Sequence, residues 1–195
     1  MNNYEYIIAG LPFLSHDGRE NPDTEALLAD IREELSERDR ATLDFLLSSY
    51  EPETLNAEFY LKAAKDRNSF IRKFFTADLG VRNTKVEYLN RTLGRPEGTD
   101  ILVPDPEADP VEFEQKPEVE AILEDGDILS RERGLDDFYW KTADAITVLD
   151  VFDLDIILAF VVKLKLVERW LRLDKATGRE LFRKLVKEIK ENTKI

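Results

Sequence analysis

The chain has 195 residues, a formal net charge of −13 and no cysteine; that is enough length to bury one good core, or two small helical lobes sharing a seam, without disulfide or metal. The missing thiols exclude disulfides, a thiolate nucleophile and a cysteine-based zinc site, and a cytoplasmic setting is expected. Residues 97–155 hold nineteen Asp and Glu against four Lys and Arg, and residues 156–195 hold eleven basic against five acidic, so a polyanion would be repelled by the middle of the chain and no nucleic-acid partner is expected.

The opening MNNYEYIIAGLPFLS lacks a basic stretch before its short apolar run, so it is not expected to act as a signal peptide. Tyr4, Tyr6 and Ile8 alternate before Gly10 and Pro12, which predicts an extended lead-in or a first helix turn. From there the text is helical. Asp23 or Thr24 can cap a helix whose Ala26, Leu27, Leu28, Ile31 and Leu35 share a face. Ser36 with Asp39 makes a start like a capping box, followed by Leu43, Leu46 and Leu47. Pro52 fits the first turn of the next helix, PETLNAEFYLKAAKD. Asn68 or Ser69 opens a run through Phe70, Ile71, Phe74 and Phe75, with Tyr88 further along the same stripe; Gly80 is expected to interrupt it and Gly94 to stop it.

Five of the eight prolines fall in residues 96–117, among many acids. Proline at this density withholds the amide donors that a helix or central strand needs, so an exposed, disordered connector is expected there. It divides the chain into an N-terminal helical lobe, residues 1–95, and a C-terminal helical lobe, residues 118–195. In the second lobe VEAILEDGDILSRERG reads as two brief helices around Gly126, then a longer helix through Phe138, Trp140, Ala143, Ile146 and Leu149. The helix that follows, from Asp153 or Asp155 to about residue 173, is apolar nearly all round and must be covered on several sides. Its longest charge-free run, residues 156–162, is too short to span a membrane. A last amphipathic helix carries Leu181, Phe182, Leu185, Val186 and Ile189 opposite Arg179, Arg183, Lys184, Lys187 and Lys190.

Few residues point to reaction chemistry. His16, the single imidazole, lies in a Ser-His-Asp tripeptide whose adjacency cannot make a catalytic triad; a turn is expected. Asp150, Asp153 and Asp155 could offer carboxylates to a divalent ion or to glycoside hydrolysis, but the run lacks the glycine and terminal glutamate of a calcium loop. Capping of the apolar helix by Asp153 or Asp155 is the expected role. No glycine-rich phosphate loop is present. Neither a cofactor, a metal nor a catalytic residue is expected. The fold class expected is all-α, an irregular multi-helix bundle of two packed helical lobes.

Two segments carry a resemblance. Val81-Arg82-Asn83-Thr84-Lys85 followed by Leu89-Asn90-Arg91 is similar to a repeated signature, close to Asp-Leu-x-Asn-Leu-Lys-x-x-Leu-Arg, of the C-type central-stalk subunits of archaeal-type ATPases, known as d-type subunits in eukaryotic V-type ATPases. Phe152, residues 156–162, Lys163 and Arg169-Trp170-Leu171-Arg172 resemble that family's closing pattern, and Asn2-Asn3-Tyr4-Glu5-Tyr6 resembles its Tyr-rich start. The whole chain looks more closely still like a family of short bacterial proteins encoded among V-type ATPase subunits. Trp170 stands where the larger family usually has Asn, and Asp78 sits two positions too far from Asn83. The chain is also much shorter than the three-lobed members of that larger family. The resemblance implies an all-helical, non-catalytic adaptor, peripheral to the membrane on its cytoplasmic face, joining the ATPase shaft subunits to the proteolipid ring. Its implied partner-contact residues are Arg82, Asn83, Lys85, Arg91, Arg169, Arg172, Arg183 and Lys187. A free-standing helical scaffold that binds a soluble partner through its acidic connector is the alternative.

Overall fold

The computed structural model describes residues 3–15, 22–107 and 112–172, and among these the chain is all-helical, as composition and periodicity predict. Eight α-helices follow in order: α1 (Glu5–Gly10), α2 (Thr24–Glu34), α3 (Glu37–Ser48), α4 (Ala57–Ala64), α5 (Ser69–Leu93), α6 (Lys116–Leu123), α7 (Ile128–Ile146) and α8 (Leu154–Arg172). The last predicted amphipathic helix and His16 lie outside the described residues.

Local chemistry starts most of the helices. Asp23 accepts from the Ala26 N–H, Ser36 from Asp39, Asn56 from Phe59, Asn68 from Ile71, and Asp127 from Leu129 and Ser130. Each bond satisfies a donor that the helix cannot, contributing about 1 kcal/mol. Gly94 ends α5 with φ at 64°, a left-handed turn that spares a Cβ clash.

Four local expectations fail for identifiable reasons. Pro52 does not open α4: residues 51–56 form turns, with Glu53 at φ 65°, and the helix waits for its Asn56 cap. Gly80 does not interrupt α5, which runs unbroken for 25 residues. A Cβ there would lie 2.5 Å from the Phe113 ring, so the glycine is a seat for an aromatic, not a break. Likewise α7 runs through Gly134, against which Ile122 packs, and the second brief helix and the longer one are a single element. α7 also stops at Ile146, leaving Leu149 in the turn beyond instead of on its apolar stripe.

The principal core gathers α1–α5 around α8. Ile157, Leu158, Val161, Val162 and Leu164 of α8 are fully buried against Ile31, Leu43, Leu46, Phe70 and Ile71 of the earlier helices, each such side chain stabilising the fold by about 1.5–3 kcal/mol. α8 packs on α2, α3, α5 and α7, which explains why it is apolar nearly all round. The aromatic stripe is core: Phe70, Phe74 and Phe75 are buried, and the ring centroids of Phe59 and Phe75 meet edge-to-face at 4.8 Å while Phe45 and Phe59 stack at 4.7 Å. A smaller cluster, Val81, Val119, Leu123, Leu135 and Phe138, joins the second half of α5 to α6 and α7, with Tyr88 and Phe113 against it. Both clusters draw residues from either side of the proline-rich segment.

That segment is not loose where it is described. Residues 95–107 follow the second half of α5, held by side-chain amides of that helix. Proline removes backbone donors, but it leaves carbonyls free for a neighbouring amide to engage.

Candidate functional site

The amide and basic residues singled out in the sequence mostly meet groups of their own chain. On α5, Arg82 donates to the Leu55 carbonyl at 3.0 Å. Asn83 donates through Nδ2 to the Leu102 carbonyl at 2.9 Å and accepts through Oδ1 from the Leu102 N–H at 3.0 Å, a two-bond clamp on the proline-rich segment. Asn90, buried two turns further along the same face, donates to the Thr99 carbonyl at 2.7 Å, and its Oδ1 has no hydrogen-bond partner among the described residues. Arg91 ion-pairs with Glu120 of α6 at 2.8 Å. Lys85 is exposed and has no ion pair among the described residues. On α8, Arg169 pairs with Asp136 of α7 at 2.6 Å and Glu132 at 3.4 Å, while Arg172 pairs with Glu168 one turn earlier at 2.5 Å. Arg183 and Lys187 lie outside the described residues.

Two carboxylates to which the sequence assigns no role are the hubs between these helices. Asp136 is 2% exposed and accepts from Arg169 and, at 2.5 Å, from the Trp170 indole N–H. Arg133 stacks its guanidinium 3.9 Å from the centroid of the same indole. Trp170, with Arg169 and Lys163, therefore closes the α7–α8 seam. Asp78 of α5 accepts from the Tyr60 phenol of α4 at 2.6 Å and the Tyr139 phenol of α7 at 2.8 Å. Burial, then the Asp78 charge, pushes both phenols well above their ordinary value. Tyr50 is raised too, by desolvation and then by Asp78 and Asp136, although its residue surface is 44% exposed. No local sequence signal marks these acids, because their partners lie up to 61 residues away.

The acids of the α7–α8 turn behave differently from one another. Asp155 accepts from Asn68 Nδ2 at 2.5 Å and Ser69 Oγ at 3.2 Å, tying the start of α8 to the start of α5. Asp153 accepts from the Asp155 N–H at 3.1 Å, the expected capping role. The Asp150 carboxyl is raised from its ordinary value, first by desolvation and then by Asp153 and Asp155, with Lys73 opposing. All three line an open cleft of about 1130 Å³, together with Arg38, Lys62, Lys65 and Arg67 and the acids Asp39, Glu58 and Asp66. Two of the three, Asp153 and Asp155, are engaged in structural bonds. Among the described residues, no group of three carboxylates or imidazoles is placed to hold a metal.

Beside these acids lies an apolar turn. Val148, Leu149 and Val151 are 74%, 90% and 63% exposed, and Phe152 is partly exposed. The turn is braced, not slack: Thr147 Oγ1 donates to the Ala143 carbonyl at 3.0 Å, the Asp150 N–H to the Thr147 carbonyl at 3.0 Å, and the Tyr4 N–H to the Phe152 carbonyl at 2.7 Å.

The geometry thus defines an all-helical protein whose polar side chains mainly join its own helices. Residues 109–193, which take in α6, α7 and α8, match the sequence model of a family described as protein of unknown function (DUF2764). No curated protein and no solved structure matches the chain.

Proposed function

We propose that the chain is a non-catalytic central-stalk adaptor of a V/A-type rotary ATPase, linking the rotor shaft to the membrane proteolipid ring from the cytoplasmic face. The observation that carries this reading is where the resemblance falls. Asn83, Asn90, Arg91 and Arg169, which echo the central-stalk signature, are the side chains that fasten α5 to the proline-rich segment and α6, and α8 to α7. A part that transmits torque needs stiff joints between helices, and close-packed interiors pass strain with little give. The adaptor would act from the membrane surface, and among the described residues no helix is long and apolar enough to cross a membrane.

The test is co-purification. Gently solubilised native membranes should yield the chain in fixed stoichiometry with the shaft and ring proteins. Clean absence from an otherwise complete complex would refute the proposal.

One observation favours a second reading, a free-standing scaffold. The acidic segment at residues 97–107 is held against α5 while staying largely exposed, a preformed strip for a soluble partner. Cross-links that map soluble proteins alone to this strip would favour the scaffold over the adaptor.

A further inference from the structure

We propose that the turn between α7 and α8, residues 147–153, is a docking tip for a protein surface whose apolar pocket is rimmed by lysine and arginine. Single exposed apolar side chains are ordinary on any protein. Here Val148, Leu149, Val151 and Phe152 are all exposed within one five-residue turn, and an apolar cluster rimmed by polar groups marks an interaction surface. The backbone that presents them is fixed from both sides by Thr147 and by the Tyr4 N–H. A preformed tip loses little conformational freedom on docking.

Charge selects the occupant. Asp150 and Asp153 flank the apolar side chains, and among the described residues neither makes an ion pair, although Lys73 acts on Asp150 from a distance and Arg38, Lys62, Lys65 and Arg67 line the same cleft, whereas nearby Asp144 is already paired with Lys163. A lipid surface with anionic headgroups would repel these acids. A second copy meeting the tip about a twofold axis would set the same acids against each other. A partner with a basic rim gains from both features, apolar burial at the centre and opposite charge around it. The inference does not rest on the adaptor reading, since rotor and soluble proteins alike can carry such a pocket.

The test places a photo-reactive benzoyl-phenylalanine at position 149 in the full chain, expressed in its native cells. Leu149 is almost wholly exposed, so the fold tolerates the change, and circular dichroism verifies it. The expected result is an adduct to one other protein, mapped to a peptide bearing Lys or Arg. Asp150→Lys should lower its yield at least fivefold and Asp150→Asn by less, while the same probe at Leu93, an exposed site on α5, gives no such adduct. A yield indifferent to Asp150→Lys, or an equal adduct from position 93, overturns the proposal. So does an adduct to a second copy or to the chain's own residues 173–195, flotation of the unlabelled protein with phosphatidylcholine–phosphatidylglycerol vesicles, or no adduct at all.

Discussion

At Asp136 a carboxylate is buried with one guanidinium and one indole N–H to receive it. Removing an acceptor of this kind strands its donors, and hydrogen bonds to charged groups contribute about 1.5–3 kcal/mol. Because the Arg169 side chain is 45% exposed and can turn to water, Asp136→Ala should cost about 1–3 kcal/mol in urea unfolding, with a shift in Trp170 fluorescence. The Asp78 hub has a pH signature instead. Tyrosine in an unfolded chain ionises near pH 10, whereas Tyr50, Tyr60 and Tyr139 ionise above that in the fold. Above about pH 10 the unfolded chain therefore binds fewer protons than the native one, and stability falls as pH rises toward the folded values; below it the contribution is complete. An alkaline titration of phenolate absorbance should show Tyr60 and Tyr139, two of the six tyrosines, ionising only as helical circular dichroism is lost. Asp78→Asn should bring Tyr60 and Tyr139 down by removing the charge while leaving the burial. Residues of this sort were not legible one by one. Asp78 looks like any surface acid of a helix until Tyr139 arrives from 61 positions away.

At the scale of the element, several helix ends were legible, but the Asn56 start of α4 and the continuity of α5 through Gly80 were not. Asp23, Ser36, Asn68 and Gly94 act within three or four residues of themselves, so their capping roles can be read from adjacent letters. Gly80 looked like punctuation for the same local reason, yet it sits, like Gly134, inside a continuous helix where another side chain needs the room. Gly80→Ala should thus lose about 1–3 kcal/mol to overpacking against Phe113 despite alanine's better helix propensity. In a Phe113→Ala background the same change should gain up to about 1 kcal/mol, so a double-mutant cycle by urea denaturation reads the coupling directly. At Gly134 the neighbour is the flexible end of Ile122, and the penalty should be smaller. Asn83 decides another element: composition alone predicts a loose proline-rich connector, but two hydrogen bonds to Leu102 seat it on α5.

For the whole molecule, α8 and the first half of α5 share one core, and the second half of α5 belongs to a second core with α6 and α7. A fragment of residues 1–95 would expose Phe74, Val81 and the other faces of α5 that α7 and α8 cover. It should show no cooperative thermal transition by circular dichroism, whereas the full chain melts in a single step. The division of charge, −15 over residues 97–155, also belongs to this scale. Part of it is taken up in ion pairs, by Asp136, Glu120 and Asp144, and part remains beside the apolar tip at Asp150 and Asp153.

The order of letters by itself determined the all-helical class, the main capping residues, the aromatic core of α5 and the need to cover α8 on several sides, because propensity, capping and hydrophobic period act over a few neighbouring residues. Tertiary structure alone decided that two mid-helix glycines are seats, that the amide-basic motif binds its own chain, and that Leu149 stands in solvent. Those outcomes depend on which distant side chains share a space, a property of the packed chain that no short window of sequence contains.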